Sequence, residues 1–116
     1  MNRGVLAVHT IIIGIIGLAF IFYPSLLAEG NPLTNIFIQS FGVSCLSFSA
    51  LSSLMLTMEG HKHVQQIGSV TLTFLHFGLF IVHMLGWLEN ISPFAFAVLH
   101  LIFLVIFTRS TIKYYK

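Results

Sequence analysis

The sequence predicts an all-α protein whose four transmembrane helices form an antiparallel bundle, and two observations support this fold class. Of the 116 residues, 57% are hydrophobic and only 7% are charged, a composition typical of chains that lie in lipid. The apolar residues also form four long stretches, three of which reach the ~20 residues needed to cross ~30 Å of hydrocarbon. The stretches are residues 5–23, 35–58, 66–88 and 94–108. We therefore expect residues 1–116 to form a single integral membrane domain.

The basic residues predict the orientation of this domain. All five lie outside the apolar stretches, and they are Arg3, Lys62, Arg109, Lys113 and Lys116. They share one side if the amino terminus, the middle loop and the carboxyl terminus are cytoplasmic, since Lys and Arg accumulate on that side of membrane proteins. The other two loops carry only Glu29 and Glu89. We expect a multi-pass protein with both termini in the cytoplasm; the sequence does not indicate which membrane.

The first apolar stretch is expected to be a retained helix. It is too long for a usual signal-peptide core, and no small-x-small cleavage pattern follows it. Tyr23-Pro24 ends this helix, because proline disfavours helical backbone in the residue before it. A turn-rich segment at 29–32 leads to the second helix, which Thr34 or Asn35 can cap.

The second helix is the least apolar of the four, and we expect it to be the central packing element. Its small residues allow neighbouring helices to approach closely in lipid. Serine hydroxyls of this kind often bond their own backbone carbonyls, so we favour packing over a polar permeation path. One small-residue face consists of Cys45, Ser49 and Ser53, and the other of Ser40, Ser44 and Ser47.

The third and fourth helices are expected to form an antiparallel hairpin, because the link from Glu89 to Ser92 is very short. The fourth stretch is itself short, so tilt or the tail Ile112–Tyr115 must complete the span. Each helix carries an aromatic stripe at spacings of three and four residues. In an antiparallel hairpin, residues equally far in sequence from the centre of the link face one another. This rule predicts four facing pairs: Trp87 with Phe96, His83 with His100, Phe80 with Phe103, and His76 with Phe107.

Acidic residues restrict the possible chemistry. The chain has no Asp, and Glu29, Glu59 and Glu89 all lie in loops or at helix ends. This argues against paired-carboxylate hydrolysis, against a Ser-His-Asp triad and against proton-coupled multidrug transporters built on an intramembrane glutamate. A catalytic centre is therefore not expected.

Histidine is the remaining candidate for chemistry within the spans. His83 and His100 share a depth on adjacent helices, as two axial ligands of a b-type haem would, and His76 lies deeper. Zinc or copper is a further possibility. The interpretation that we favour has no cofactor and treats the stripes as an aromatic packing surface.

A second set of potential metal ligands surrounds the middle loop. Thioether and imidazole ligands suit copper(I), although interfacial methionines beside a solvated loop are the simpler interpretation. The residues are Met55, Met58, His61 and His63.

Several local features resemble the DoxX-like group of small four-helix membrane proteins. They are Gly14 and Gly17 in the first helix, Tyr23-Pro24 at its end, Gln39-Ser40-Phe41-Gly42 opening the second helix, and Leu75-His76-Phe77 in the third. Members of that group often have a basic residue where this chain has Gln39. The resemblance implies the four-helix fold and no catalytic residue.

Taken together, these patterns predict an accessory or interaction subunit without a catalytic centre of its own. The expected partners are the lipid bilayer and either other membrane subunits or a second copy of the chain. Nucleic acid is not expected, because the net charge of +2 comes from a few residues at one side. Two alternatives stay open: a haem or metal redox protein that uses His83 and His100, and a small transporter or channel lined by the serine-rich second helix.

Overall fold

The computed structural model describes residues 2–26, 32–90 and 92–115, and within these ranges it contains helices and no β-strand. The long helices are α1 (Arg3–Phe22), α2 (Pro32–Thr57), α3 (Lys62–Leu88) and α4 (Phe94–Tyr115), and a short 3₁₀ helix spans Pro24–Leu26. All four long helices have the length and apolar composition needed to cross a membrane. The all-α prediction is confirmed, whereas membrane crossing and orientation stay predictions.

Three helices extend beyond the predicted apolar stretches by three or more residues at one end. α4 continues to Tyr115 rather than ending near residue 108, and α3 begins at Lys62 rather than at residue 66. The apolar criterion marks only residues suited to hydrocarbon, whereas a helix continues into polar residues at either end. α2 begins at Pro32, ahead of the predicted caps Thr34 and Asn35, and proline is well suited to the first turn of a helix.

The chain divides into two compact units, Met1–Glu59 and Gly60–Lys116. The first contains α1 and α2 and is called hairpin 1; the second contains α3 and α4 and is called hairpin 2. Each is an antiparallel pair of helices with its own contacts. The prediction that all four helices pack as one bundle stays a prediction.

Hairpin 1 is packed most tightly where two glycines meet. A Cβ atom added to Gly42 would lie 2.8 Å from the Gly17 carbonyl oxygen, and one added to Gly17 would lie 2.9 Å from the Gly42 carbonyl oxygen. Ordinary contacts of a Cβ atom are longer than 3.4 Å. Both positions therefore require glycine for the two backbones to approach this closely.

Polar contacts tie the two helices of hairpin 1 together on either side of the glycines. The Ser49 hydroxyl donates to the Thr10 carbonyl at 2.8 Å, and the Gln39 amide donates to the Ile21 carbonyl at 3.1 Å. At the end of the hairpin that holds the amino terminus, Arg3 and Glu59 form an ion pair at 3.3 Å. The pair is solvent-exposed and contributes at most about 1 kcal/mol.

Hairpin 2 owes its short connection to a left-handed residue after α3. Asn90 has a φ of +58°, a conformation that asparagine tolerates better than most residues. Its N–H donates to the Trp87 carbonyl at 3.0 Å, and the Ser92 N–H donates to the Gly86 carbonyl at 3.0 Å. The chain thus satisfies the last carbonyls of α3 while it reverses direction into α4.

The opposite end of hairpin 2 is joined by side chains rather than by a turn. The Gln66 amide donates to the Tyr114 carbonyl at 2.9 Å, and the Thr73 and Thr111 hydroxyls lie 3.2 Å apart. Contacts between α3 and α4 at both ends of the hairpin therefore fix the register of the two helices, and with it which histidines face one another.

Candidate functional site

Three histidines meet in the middle of hairpin 2 and form its most concentrated set of functional groups. α3 supplies His76 and His83, which lie seven residues apart and therefore on one face of the helix. α4 supplies His100 from the opposite side. His76 is fully buried and His100 is 7% exposed, whereas His83 is partly buried. The site is thus a histidine cluster held between two helices.

His76 and His100 are hydrogen-bonded to each other through their Nδ1 atoms, which lie 3.0 Å apart. A bond between two nitrogens of the same kind needs one hydrogen, so one ring donates from Nδ1 and the other accepts there. The two rings must therefore be in different tautomers when both are neutral. Protonation of both Nδ1 atoms would break the bond, and the geometry consequently suits a pair that is neutral or singly charged.

His83 extends the cluster towards the connection between the helices. Its ring stacks on that of His100 with centroids 5.1 Å apart and planes inclined by 9°. Its Nδ1 lies 2.8 Å from the Ser92 hydroxyl oxygen, and Phe96 covers it with a centroid separation of 5.4 Å. Each of the three imidazoles thus has a polar partner at Nδ1 and an aromatic ring against its face.

The aromatic stripes meet as predicted at two of the four expected pairs. His83 faces His100, and His76 stacks on Phe107 with centroids 5.4 Å apart. Trp87 instead contacts Phe94, at 5.0 Å, and Phe103 stacks on His76, at 5.0 Å. The rule of equal distance from the link assigns a single partner to each ring. A ring that lies between two helices instead contacts residues on successive turns of the facing helix.

The predicted packing residues are buried to very different extents. Phe103 and Phe107 are buried, Phe80 is partly buried, and Trp87 and Phe96 are exposed. Exposure increases towards the connection between α3 and α4. The stripes are therefore a packing surface over their central part and an outward surface near the connection.

The arrangement of His83 and His100 does not fit a haem between them. Axial ligation requires each imidazole nitrogen to point at one iron from opposite faces of the macrocycle, but these two rings lie parallel and face to face at 5.1 Å. Haem binding would require both rings to turn, and the observed geometry favours the packing interpretation.

The described part of the chain contains no cluster of three or more His, Cys, Asp or Glu residues that could hold a metal ion. The four residues predicted as a copper site are distributed between the two units. Met55 is fully buried in α2 and Met58 follows that helix, whereas His61 and His63 are exposed at the start of α3. His63 was expected in a loop but lies in the first helical turn. Metal binding by these four stays a prediction.

Hairpin 1 contains a buried histidine contact that the sequence did not predict. His9 is fully buried, and its Nδ1 lies 2.6 Å from the hydroxyl oxygen of Ser52, which is also fully buried. That hydroxyl oxygen also lies 3.0 Å from the Phe48 carbonyl oxygen. Serine has one hydrogen to donate, so Ser52 either bonds the Phe48 carbonyl and accepts from His9 or donates to His9 Nδ1, depending on the tautomer of the imidazole. The sequence signal for this contact was the presence of one histidine, His9, in the otherwise apolar first stretch.

The two small-residue faces of α2 have different environments. Cys45 is buried, and Ser49 and Ser53 are partly buried, on the side that includes the contacts with α1. The other face is exposed, and each of its hydroxyls donates to the carbonyl four residues earlier in α2, as expected from the sequence. The distances are 2.8 Å for Ser40, 3.2 Å for Ser44 and 3.0 Å for Ser47.

In comparisons with known proteins, no family model, curated protein or solved structure matches this chain. The resemblance to DoxX-like proteins therefore stays a prediction. Any function must be argued from the contacts of the chain itself.

Proposed function

We propose that this chain is a multi-pass membrane protein that acts as an accessory subunit, binding another membrane helix through the exposed face of α2. Its four helices are long and apolar enough to cross a membrane. The positions of the basic residues favour cytoplasmic termini. In this proposal the helix surfaces carry the function and the histidine cluster stabilises hairpin 2.

The observation that carries the proposal is the exposed serine face of α2. Ser40, Ser44 and Ser47 lie at spacings of four and three residues, so they follow one side of the helix. All three are exposed, and all three hydroxyls are hydrogen-bonded within their own helix. A serine in this state needs no polar partner, and its small size allows a second backbone to approach closely.

α2 already uses small residues in this way on its other side. Gly42 and Ser49 contact α1 with backbone or hydroxyl atoms, and both contacts depend on the small size of the residues. The large exposed side chains of α1, such as Ile11, Ile15 and Phe22, instead give a surface typical of contact with lipid tails. The exposed surface of α2 also carries large apolar side chains, such as Ile36 and Val43, but its row of exposed serines favours α2 as the binding helix.

The histidine cluster supports a structural role for the interior of hairpin 2. His76 and His100 bond each other, and His83 lies within hydrogen-bonding distance of Ser92. These contacts account for the buried imidazoles without a substrate or an added group. They favour a subunit whose binding surfaces lie outside the hairpins.

Disulfide crosslinking in native membranes tests the proposal. Cys45 is first replaced by Ala, and Ser44→Cys is then introduced on the proposed face, with Ile15→Cys on α1 as the matched exposed control. We expect an oxidised product from Ser44→Cys and not from the control. A mass of twice 12.9 kDa would identify a second copy, whose own Ser44→Cys supplies the second thiol; a different subunit would be identified by its co-purification with the protein.

A variant with a bulky side chain on the serine face provides an independent test of the proposal. Ser44→Leu prevents close helix approach and should abolish co-purification of the partner, whereas Ile15→Leu should preserve it. Equal crosslinking at residues 44 and 15, or partner binding that survives Ser44→Leu, would overturn the proposal.

A further inference from the structure

We propose that the end of hairpin 2 where α3 begins and α4 ends is a binding surface for the headgroups of anionic phospholipids. The inference rests on the proposed placement of the chain in a membrane, but not on the serine face of α2. Three exposed cations form the surface, which we call the basic end: Lys62, Arg109 and Lys113.

The contacts between α3 and α4 bring these cations to the same end of the hairpin. The hydrogen bond from Gln66 to the Tyr114 carbonyl sets the first turns of α3 beside the last turns of α4. Lys62 lies one turn before Gln66, and Lys113 directly precedes Tyr114. Arg109 lies one turn from Lys113 and on the same side of α4, because residues four apart share a face.

The described residues of hairpin 2 offer these cations no carboxylate at close range. The only acidic residue in that part of the chain is Glu89, at the opposite end of α3 and about 40 Å along its axis. The one ion pair among the described residues joins Arg3 to Glu59 in hairpin 1. The positive charge of the basic end is therefore not neutralised within its own hairpin.

Tyrosines at the basic end place it at the depth of lipid headgroups. Tyr115 is 64% exposed, and the hydroxyl of Tyr114 donates to the Gln65 side-chain oxygen at 3.4 Å. Tyrosine favours the boundary between hydrocarbon and water. Arg109 lies about 6 Å deeper than Lys113 along α4, and its long side chain can extend to the same boundary.

Phosphate-bearing lipids fit this surface better than an acidic protein or a free anion. Arg109 and Lys113 lie on one side of α4 and Lys62 lies on α3, and their long side chains allow all three charges to reach the boundary between hydrocarbon and water, where a layer of headgroups lies. Each basic residue near an anionic membrane surface strengthens binding by about fivefold. Together the three cations should produce a clear preference for anionic over zwitterionic lipid.

The test measures lipid selectivity of the full chain in phosphatidylcholine vesicles that contain spin-labelled phosphatidylglycerol or spin-labelled phosphatidylcholine. The motionally restricted fraction of each label gives their relative association constants. We expect the wild-type protein to prefer phosphatidylglycerol. Lys62→Gln, Arg109→Gln and Lys113→Gln should each lower this preference by up to about fivefold, and the triple variant should abolish it.

Glu89→Gln, at the opposite end of α3, is the matched control and should leave the preference unchanged. An unchanged helical circular dichroism spectrum confirms that each variant is folded. Equal association of the two lipids with wild-type protein would overturn the proposal, as would an unchanged preference in the triple variant. Loss of the preference on addition of inorganic phosphate alone, at constant ionic strength, would indicate a free-anion site and would also overturn it.

This experiment is independent of the accessory-subunit proposal. A lipid preference that persists when Ser44→Cys fails to crosslink would leave the basic end as a binding surface and remove the helix partner. Failure of the protein to incorporate into vesicles would instead contradict the membrane placement on which both proposals rest.

Discussion

Replacing Gly42 by alanine should loosen hairpin 1. The added Cβ atom would lie 2.8 Å from the Gly17 carbonyl oxygen and 2.9 Å from both Ile21 Cγ1 and Phe20 Cβ. The helices must separate by roughly 0.5 Å to restore ordinary contacts, and overpacking of this kind typically costs about 1–3 kcal/mol. Alanine's higher helix propensity offsets up to about 1 kcal/mol. We expect a net loss of about 1–2 kcal/mol.

Gly78→Ala provides a control of the same chemistry. No heavy atom lies within 4 Å of a Cβ atom built at Gly78, so only the gain in helix propensity remains. This variant should be neutral or more stable than wild type by up to about 1 kcal/mol. The two glycine substitutions should therefore differ in sign.

The native thiol of Cys45 supplies the assay, because it is buried and its helix contacts α1. Its rate of labelling by a maleimide, measured over an SDS titration in mixed micelles, reports the free energy of opening of hairpin 1. The loss of helical circular dichroism over the same titration reports the unfolding of Gly78→Ala, since Gly78 lies in hairpin 2. A loss of about 1–2 kcal/mol corresponds to roughly 5–30-fold more open protein. If Gly42→Ala is as stable as Gly78→Ala, the close approach of the two backbones does not determine the stability of hairpin 1.

Three further predictions follow from buried polar groups. Ser52→Ala should destabilise the protein by about 1–3 kcal/mol, because it removes the hydroxyl that lies 2.6 Å from Nδ1 of the buried His9. Ser44→Ala should change stability by less than about 0.5 kcal/mol, and equal effects of the two variants in the SDS titration would refute a stabilising bond between His9 and Ser52. His76→Phe and His100→Phe should each lower the free energy of unfolding by about 1–3 kcal/mol. The double variant should lose less than the sum of the two single losses. Strictly additive losses in this double-mutant cycle would contradict a direct hydrogen bond. Cys45 should resist membrane-impermeant thiol reagents in native vesicles from both sides, and rapid reaction would support the channel alternative.

The helices and part of the histidine cluster could be predicted because both depend on residues close in sequence. Apolar stretches mark the helices that are long and apolar enough to cross a membrane, and a short connection fixes which turns of α3 and α4 lie side by side. The facing of His83 and His100 follows from that constraint. Helix ends were less predictable, because polar terminal turns such as the one holding Lys62 carry no hydrophobic signal.

The contacts of hairpin 1 could not be predicted in the same way. Its helices are connected through a longer segment, so reflection about the loop does not fix the register of α1 against α2. The meeting of Gly17 with Gly42 and of His9 with Ser52 depends on how the helices cross. Small residues and one isolated histidine indicated which faces were involved, but not which residues meet.

For the proposed membrane placement, the pairing of His76 with His100 of α4 bears on how hairpin 2 is inserted during synthesis. If α3 entered lipid by itself, His76 would reach the hydrocarbon without the Nδ1 partner that His100 supplies, and unpaired polar groups are costly there. The connection between the helices is short enough for α4 to emerge from the ribosome soon afterwards. We therefore expect the insertion machinery to release α3 and α4 together, as a preformed pair.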